Sequence, residues 1–284
     1  MPSLSRAQVQ RMIEAGAVEV SGRRVKAAHR LRAGERVSGA VPEPVPADRV
    51  LSEAIPLSVV FEDSDLIVVD KPAGLVVHPA AGHASGTLVN ALLHHCGDSL
   101  SGVGGVLRPG IVHRLDKGTS GLIVAAKNDL AHRSLAAQFK RHSIDREYLA
   151  LVRAQVSARS GSIDAPIGRH PTDRKRFSTR ARRGRHAVTH WRVERRLNDL
   201  TLLRVRLETG RTHQIRVHLA SAGMPVAGDP VYGGGRAVTR ALGLERQALH
   251  ATRLGFEHPR SGEAVGFDSP LPDDLARVVD EAAS

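Results

Sequence analysis

The chain has 284 residues, 41% of them hydrophobic, which is enough to form a core and excludes an intrinsically disordered protein. Its single cysteine, Cys96, excludes an intramolecular disulfide and a cysteine-rich zinc site, and an aromatic content of 3% argues against nucleic-acid binding mainly by base stacking. The net charge of +12 is concentrated in two segments. Residues 3–37 contain eight Lys or Arg residues and three acidic residues, and residues 169–185 contain eight Lys or Arg residues and one acidic residue. This clustering favours a polyanionic partner over a merely solvated surface.

The start of the chain lacks the apolar segment of a signal peptide, and no apolar run approaches the ~20 residues that span a bilayer. A single cysteine also fits a reducing compartment. We therefore expect a cytoplasmic protein without a membrane partner, and we expect it to be a monomer.

The N-terminal residues form a pattern of their own. Residues 5–16 have a serine cap, apolar residues at helical spacing and a final glycine, which predicts a helix. Residues 17–37 predict a short hairpin followed by another turn and strand. This order resembles the S4 RNA-binding domain, which implies that basic residues face folded RNA, and the candidates are Arg6, Arg11, Arg23 and Arg24. S4 domains usually begin with a further helix for which this sequence has no room. We therefore expect either that the true start lies further upstream or that the module over residues 1–40 is shortened.

Residues 41–56 are rich in proline, which predicts an extended linker, and residues 57–284 form one further domain. Strands and helices interleave in this domain, but several strands are joined by short turns. We therefore predict an α+β fold with a large mixed or antiparallel sheet flanked by helices, rather than a doubly wound parallel sheet. The predicted strands are in residues 65–71, 75–79, 121–127, 147–152 and 201–210, and the predicted helices are in residues 128–142 and 211–223.

Residues 110–127 bring together several reactive side chains before an apolar strand. Asp116 lies between Arg114 and Lys117, and nearby positive charge keeps a carboxylate ionised. Judged on spacing alone, an ordinary surface turn with an Arg–Asp pair explains the pattern equally well.

Residues 113–121, HRLDKGTSG, match the H-R-L-D-x-x-T-S-G signature of the RluA/RluD-type pseudouridine synthases at every fixed position. Residues 145–152 resemble the second motif of that family, and residues 207–233 resemble the third. The resemblance runs from about residue 59 to residue 272, and residues 164–179 look most like the RluD branch, which carries an S4 domain. It implies a pseudouridine-synthase fold and an RNA isomerase that needs neither cofactor nor metal.

The resemblance also implies a catalytic set. Asp116 would act on the sugar as nucleophile or as base, and Tyr148 would hold the detached uracil and take the C5 proton. By analogy Arg216 pairs with the carboxylate, with Arg211 as the competing choice. Arg114 would support the flipped-out nucleotide or its phosphate.

Residues 169–185 are expected to form a basic hairpin or loop that contacts RNA beside this site, and the alternative is a disordered surface loop. The cations singled out are Arg169, Arg174, Lys175 and Arg176. The RluD-like detail implies large-subunit ribosomal RNA as the substrate, and transfer RNA stays open.

Two other classes of function fit the sequence less well. A non-catalytic RNA-binding or ribosome-assembly factor would have no need to keep Asp116, Tyr148 and Arg216 together, so the intact set favours the enzyme. A glycosidase would need paired carboxylates and would leave the basic segments unexplained. His213 and His218 are five residues apart and lack the spacing of helical metal ligands, so no metal site is expected.

Overall fold

The computed structural model describes residues 13, 16–26, 28–39, 50–79, 85–101, 108–173, 176–233 and 243–283. The chain divides into two compact units, Met1–Arg49 and Val50–Ser284. Most of the predicted helix over residues 5–16 falls outside the described residues, as do Arg6 and Arg11. The predicted domain boundaries remain predictions.

The described part of the small unit is a three-stranded antiparallel sheet. Its central strand β1, Val18–Val20, pairs with β2, Arg23–Arg24, and with β3, Val37–Gly39. The predicted hairpin turn is present, since Ser21 and Gly22 both have positive φ, as a two-residue turn requires. Arg23 and Arg24 are exposed in this sheet.

The described part of the large unit is built on one nine-stranded sheet with four helices. Seven of its strands are β4 Ser58–Glu62, β5 Leu66–Lys71, β6 Ser120–Ala126, β7 Asp145–Val152, β8 Ser160–Asp164, β11 Val188–Arg196 and β12 Thr201–Leu207. The other two are β13 Leu249–Glu257 and β14 Ala264–Asp268, and a separate two-stranded hairpin consists of β9 Gly168–Arg169 and β10 Phe177–Ser178. The helices are α1 Leu88–Cys96, α2 Asp129–Arg141, α3 Gln214–Ser221 and α4 Asp273–Glu281.

The strand order of the large sheet is β4-β5-β6-β13-β7-β12-β11-β8, with β14 paired to β13. Every pairing is antiparallel except that of β13 with β6. This mixed, mainly antiparallel sheet confirms the predicted α+β class. At the parallel contact the backbones approach so closely that a Cβ at Gly121 would lie 2.3 Å from the Ala251 carbonyl oxygen, which explains the glycine at the end of the HRLDKGTSG motif.

The central strands are buried on both faces, because helices cover each side of the sheet. In β5, Ile67 and Val69 belong to one core cluster with α1 residues, whereas Leu66 and Val68 belong to another with α2 residues. Asn128 caps α2, accepting a hydrogen bond from the Ala131 amide at 3.0 Å. Among the described residues, no helix combines the length and apolar character needed to cross a bilayer.

The strand predicted for residues 75–79 is wrong. Val76 forms only an isolated bridge to Thr87. The carbonyl oxygens of Val76 and Val77 instead accept hydrogen bonds from the first two amides of α1, at 2.8 and 3.1 Å. The apolar residues resemble a strand in sequence, but their carbonyl groups bind the otherwise unpaired amides at the start of a helix.

Lys71 ends β5 with a fully buried side chain. Its Nζ donates hydrogen bonds to the carbonyl oxygens of Pro72 at 2.8 Å and Leu75 at 3.0 Å. Burial, together with the positive charge of Arg246, lowers the pKa of this ammonium from its ordinary value of 10.5 to about 7.

The lowered pKa predicts a pH-dependent stability. Between about pH 7 and pH 10 the unfolded chain holds the Lys71 proton more tightly than the folded protein, so stability should rise with pH in this window. Below about pH 7 both states hold the proton and the contribution levels off. We expect the free energy of unfolding of wild type to rise by about 3 kcal/mol relative to Lys71→Met across the window, measured by urea denaturation. Parallel pH profiles for the two proteins would contradict the prediction.

Candidate active site

A cavity of about 490 Å³ lies in the large unit, between the loop before β6, the start of β7 and the start of α3. Five residues singled out from the sequence line it, namely Arg114, Asp116, Tyr148, Arg211 and Arg216. Asp116 is the one acidic residue among the described lining residues.

The loop that carries Asp116 is fixed from two sides. The Thr119 amide donates to the Asp116 carbonyl at 3.0 Å, which forms a tight turn. From the residues before β13, Arg246 donates to the Gly118 carbonyl at 3.2 Å and Gln247 donates to the Thr119 hydroxyl at 3.2 Å. These three contacts fix the loop without using the carboxylate oxygens of Asp116.

His113 fixes the other end of this loop. Its Nε2 accepts a hydrogen bond from the Val124 amide at 3.0 Å, and its ring stacks on Phe139 at 4.5 Å between centroids. Burial, together with the positive charge of Arg146, lowers the pKa of this imidazole to about 3. His113 is thus neutral at neutral pH and acts as an acceptor within the fold.

Arg216 is the arginine that contacts Asp116. Its Nη1 donates to the Asp116 Oδ2 at 2.9 Å, and its Nε and Nη2 donate to the two carboxylate oxygens of Asp229 at 2.7 and 2.9 Å. Burial alone would lower the pKa of this guanidinium, but the two carboxylates raise it. Arg211, the competing choice, instead donates to the carbonyl oxygen of His186 at 3.0 Å.

Asp229 was not recognised from the sequence. It is fully buried, and besides Arg216 it accepts hydrogen bonds from the amides of Val231 and Tyr232 at 2.8 and 3.1 Å. Burial alone would raise the pKa of this carboxyl, but Arg216 and the two amides lower it overall. The only signal was an acidic residue inside the third motif, in the string GDPVYG.

The start of α3 is tied to the sheet by Gln214. Its side-chain nitrogen donates to the Val188 carbonyl at 2.9 Å, and its side-chain oxygen accepts from the Arg211 amide at 2.9 Å and the Thr209 hydroxyl at 2.8 Å. This places Arg216 two residues later, on the side of the helix that reaches Asp116.

Tyr148 lies on β7 and is 7% exposed. Burial raises the pKa of its phenol; the charge of Arg146 opposes this rise and that of Asp116 adds to it. At neutral pH the group in the cavity is therefore the neutral phenol.

A hydrogen-bonded chain links the cavity to the basic hairpin. The Phe177 amide donates to the Tyr232 hydroxyl at 2.9 Å, and that hydroxyl shares a hydrogen bond with His213 Nδ1 at 3.0 Å. The other ring nitrogen of His213, Nε2, lies 3.9 Å from Asp116 Oδ1. Burial lowers the pKa of His213, which favours the neutral imidazole.

Strands β9 and β10 pair as a two-stranded hairpin in which Phe177 lies opposite Arg169 and Ser178 lies opposite Gly168. Two of its cations pack on aromatic rings, because Arg169 lies 4.6 Å from the centroid of Phe177 and Arg176 lies 5.4 Å from that of Tyr232. Arg174 and Lys175 lie outside the described residues. Arg114 is exposed at the cavity.

Asp63, Asp65 and His258 are the one group among the described residues whose ligand atoms could approach a single metal ion. Each already has a protein partner, since His258 bonds to Asp63 at 2.8 Å and Arg260 bonds to Asp65 at 2.6 and 2.7 Å. Among the cavity residues the arrangement offers a carboxylate, a phenol and several cations. Such a set suits acid–base or nucleophilic chemistry on an anionic substrate.

Comparison with known families identifies both units. Residues 65–221 match the family described as RNA pseudouridylate synthase, and residues 1–37 match the S4 domain. An uncharacterised RNA pseudouridine synthase of Bacillus subtilis is 51% identical over 97% of this chain and 89% of its own length. A protein of Zymomonas mobilis named ribosomal large subunit pseudouridine synthase D is 49% identical over 96% of this chain and 87% of its own length.

The fold has a solved counterpart. The structure of human RNA pseudouridylate synthase domain containing 1 is 25% identical and superposes with a TM-score of 0.60, covering 81% of this chain and 96% of that one. The predicted pseudouridine-synthase fold and the S4 domain are thereby confirmed.

Proposed function

Since the chain belongs to the RNA pseudouridylate synthase family and carries an N-terminal S4 domain, we propose that it isomerises uridines of large-subunit ribosomal RNA and that Asp116 is its catalytic carboxylate. The observation that carries the site assignment is the contact between Asp116 and Arg216 beside Tyr148, all three at one cavity.

The reaction breaks the bond from C1′ to N1 of uridine and forms a bond from C1′ to C5, while the proton on C5 is lost and N1 gains one. Asp116, 17% exposed at the cavity, is open to the sugar and acts either on C1′ as nucleophile or on a sugar proton as base. Arg216 orients this carboxylate, because the guanidinium that binds it is itself fixed by Asp229.

Tyr148 holds the detached uracil in this scheme. A neutral phenol offers a hydrogen-bond donor and an aromatic face to the ring. To accept the C5 proton, Tyr148 must give up its own phenolic proton, because its raised pKa disfavours a free phenolate.

A uridine inside a stacked helix must be extruded to reach Asp116, at a cost of a few kcal/mol. Contacts with backbone phosphates offset that cost, and the β9–β10 hairpin is linked through Tyr232 to His213, which lines the cavity. Arg114 and Arg211 at the cavity supply further cations. The exposed Arg23 and Arg24, with Arg6 and Arg11, serve the S4 domain in the same way.

Ribosomal RNA is preferred as the substrate because a relative 49% identical over almost the whole chain is named a large-subunit enzyme. Transfer RNA is the alternative that the experiment must separate. Carbodiimide-stop reverse transcription of ribosomal and transfer RNA, from cells lacking the protein and from cells rescued with wild type or Asp116→Ala, tests both points. We expect stops to vanish at particular large-subunit uridines and to return only with wild type. If stops are lost only in transfer RNA, transfer RNA is the substrate instead of ribosomal RNA. If no stop changes in either RNA, a non-catalytic RNA-binding factor is favoured.

Neutralising the basic hairpin should weaken RNA binding. Replacing Arg174 and Lys175 with glutamine should lower the slope of log affinity against log salt concentration by about 2, measured by filter binding. Arg176 is left in place because it packs over Tyr232. Arg192→Gln with Arg195→Gln, which removes two exposed charges from β11, is the control and should leave the slope near wild type. An unchanged slope in the first pair would mean that these residues do not contact RNA.

A further inference from the structure

Arg146 is a buried cation that has no counter charge among the described residues. It lies on β7, is 7% exposed, and its Nε is buried without a hydrogen-bond partner. Among the described residues, no carboxylate forms an ion pair with it. Its neighbours Asp145 and Glu147 point to the opposite face of the strand, where they pair with other arginines.

The guanidinium of Arg146 is placed at the active-site cavity. It lies 5.5 Å from the centroid of Phe139, and its Nη1 is 3.0 Å from the position that a Cβ at Gly210 would occupy. Phe139, Gly210 and Arg146 all line the cavity, and Tyr148 follows on the same face of β7. The single acidic lining residue among those described, Asp116, is already bound to Arg216.

A buried charge with no partner is unfavourable in the folded protein, so a group that persists in this state is expected to gain its partner from a ligand. The permanent anion that RNA offers is the phosphate, and the planar guanidinium binds phosphate through two parallel hydrogen bonds. A uracil carbonyl is a neutral acceptor and would leave the positive charge uncompensated.

We propose that Arg146 binds a backbone phosphate of the extruded nucleotide inside the cavity. This inference rests on the proposed function, because it takes RNA as the ligand. Arg146 would bind the phosphate, and Tyr148, two residues further along the same face of the strand, would contact the base. The ribose between them is therefore held at both ends. Arg146 is thus a substrate-binding residue that helps to place the sugar against Asp116.

The test uses the full chain and a synthetic RNA that spans one uridine mapped by the carbodiimide experiment. Binding of wild type and Arg146→Met is measured over a series of salt concentrations, with Arg133→Met, an exposed arginine on α2, as the charge-matched control. We expect Arg146→Met to bind about tenfold more weakly, with the salt slope reduced by about 1. The control should match wild type in affinity and lose less of the slope.

Two RNAs with a neutral methylphosphonate, on the 5′ or the 3′ side of the target, identify the contact. One of them should weaken binding to wild type but not to Arg146→Met, because the lost charge is the one that Arg146 meets. The phosphate assignment is overturned if both modified RNAs bind more weakly by the same factor to wild type and to Arg146→Met. It is also overturned if Arg146→Met has a lower single-turnover rate but an unchanged salt slope. Failure of wild type to isomerise any RNA would instead overturn the proposed function.

Thermal unfolding separates this binding role from a structural one. A cation held for a ligand contributes nothing to the free protein, so Arg146→Met should unfold at the same temperature as wild type or higher. A clear fall in the unfolding temperature would show that Arg146 serves the fold and would also overturn the proposal.

Discussion

Asp116→Ala is expected to abolish uridine isomerisation while leaving the fold and the RNA affinity near those of wild type. The reaction has no substitute for the carboxylate, because Asp116 is the one acidic side chain among the described residues of the cavity. A loss of at least about 10⁴-fold in the single-turnover rate is the scale observed when a reacting group is removed.

The fold should tolerate this change because Arg216 keeps its second partner. The guanidinium retains both hydrogen bonds to Asp229, so removal of Asp116 leaves no isolated buried cation. Asp116→Asn is the matched variant, since it keeps the shape and removes only the charge. Both variants should unfold within a few degrees of wild type and bind RNA with the same salt slope. Retained isomerisation in either would reject Asp116 as the catalytic group.

The fold class and the central pair of the site could be predicted because their signals are local or carried by long motifs. HRLDKGTSG located Asp116, and the third motif located Arg216. The alternation of β7 also places Arg146 beside Tyr148, but the flanking Asp145 and Glu147 suggest ready partners for that arginine. Only the three-dimensional strand shows that both acids lie on the other face.

Asp229 could not be found in this way because its role depends on the path of the chain. It lies 13 residues after Arg216, beyond the end of α3, and reaches the guanidinium only through the turn that follows the helix. Residues 75–79 were assigned wrongly for a related reason, since an apolar run does not reveal that its carbonyl groups bind the start of α1.

Asp229→Asn should damage both stability and catalysis, because this carboxylate holds the arginine that holds Asp116. The amide accepts with one oxygen only, so Arg216 loses a charged, two-point partner in a fully buried place. Breaking a buried pair on one side costs about 3–5 kcal/mol. We expect a loss of that order in urea denaturation, whereas Asp268→Asn, which removes an exposed partner of Arg253, should cost less than about 1 kcal/mol.

The stability difference between wild type and Asp229→Asn should also depend on pH. The folded pKa of Asp229 is lowered from its ordinary value of 3.8, so its contribution is present above that value and is lost as pH falls through the lowered pKa. The two stability curves should therefore converge in acid and separate towards neutrality. Curves that stay parallel would mean that the charge of Asp229 does not stabilise the fold.

Catalysis should fall even where Asp229→Asn is fully folded. A guanidinium released from Asp229 is free to shift, and misplacement of a catalytic group by about 1 Å can cost about 100-fold in rate. Single-turnover isomerisation, measured well below the unfolding temperature of the variant, is expected to show a loss of this size with RNA affinity unchanged. A variant that is less stable but isomerises at the wild-type rate would limit Asp229 to a role in folding. It would also mean that the reactivity of Asp116 does not depend on the exact position of Arg216.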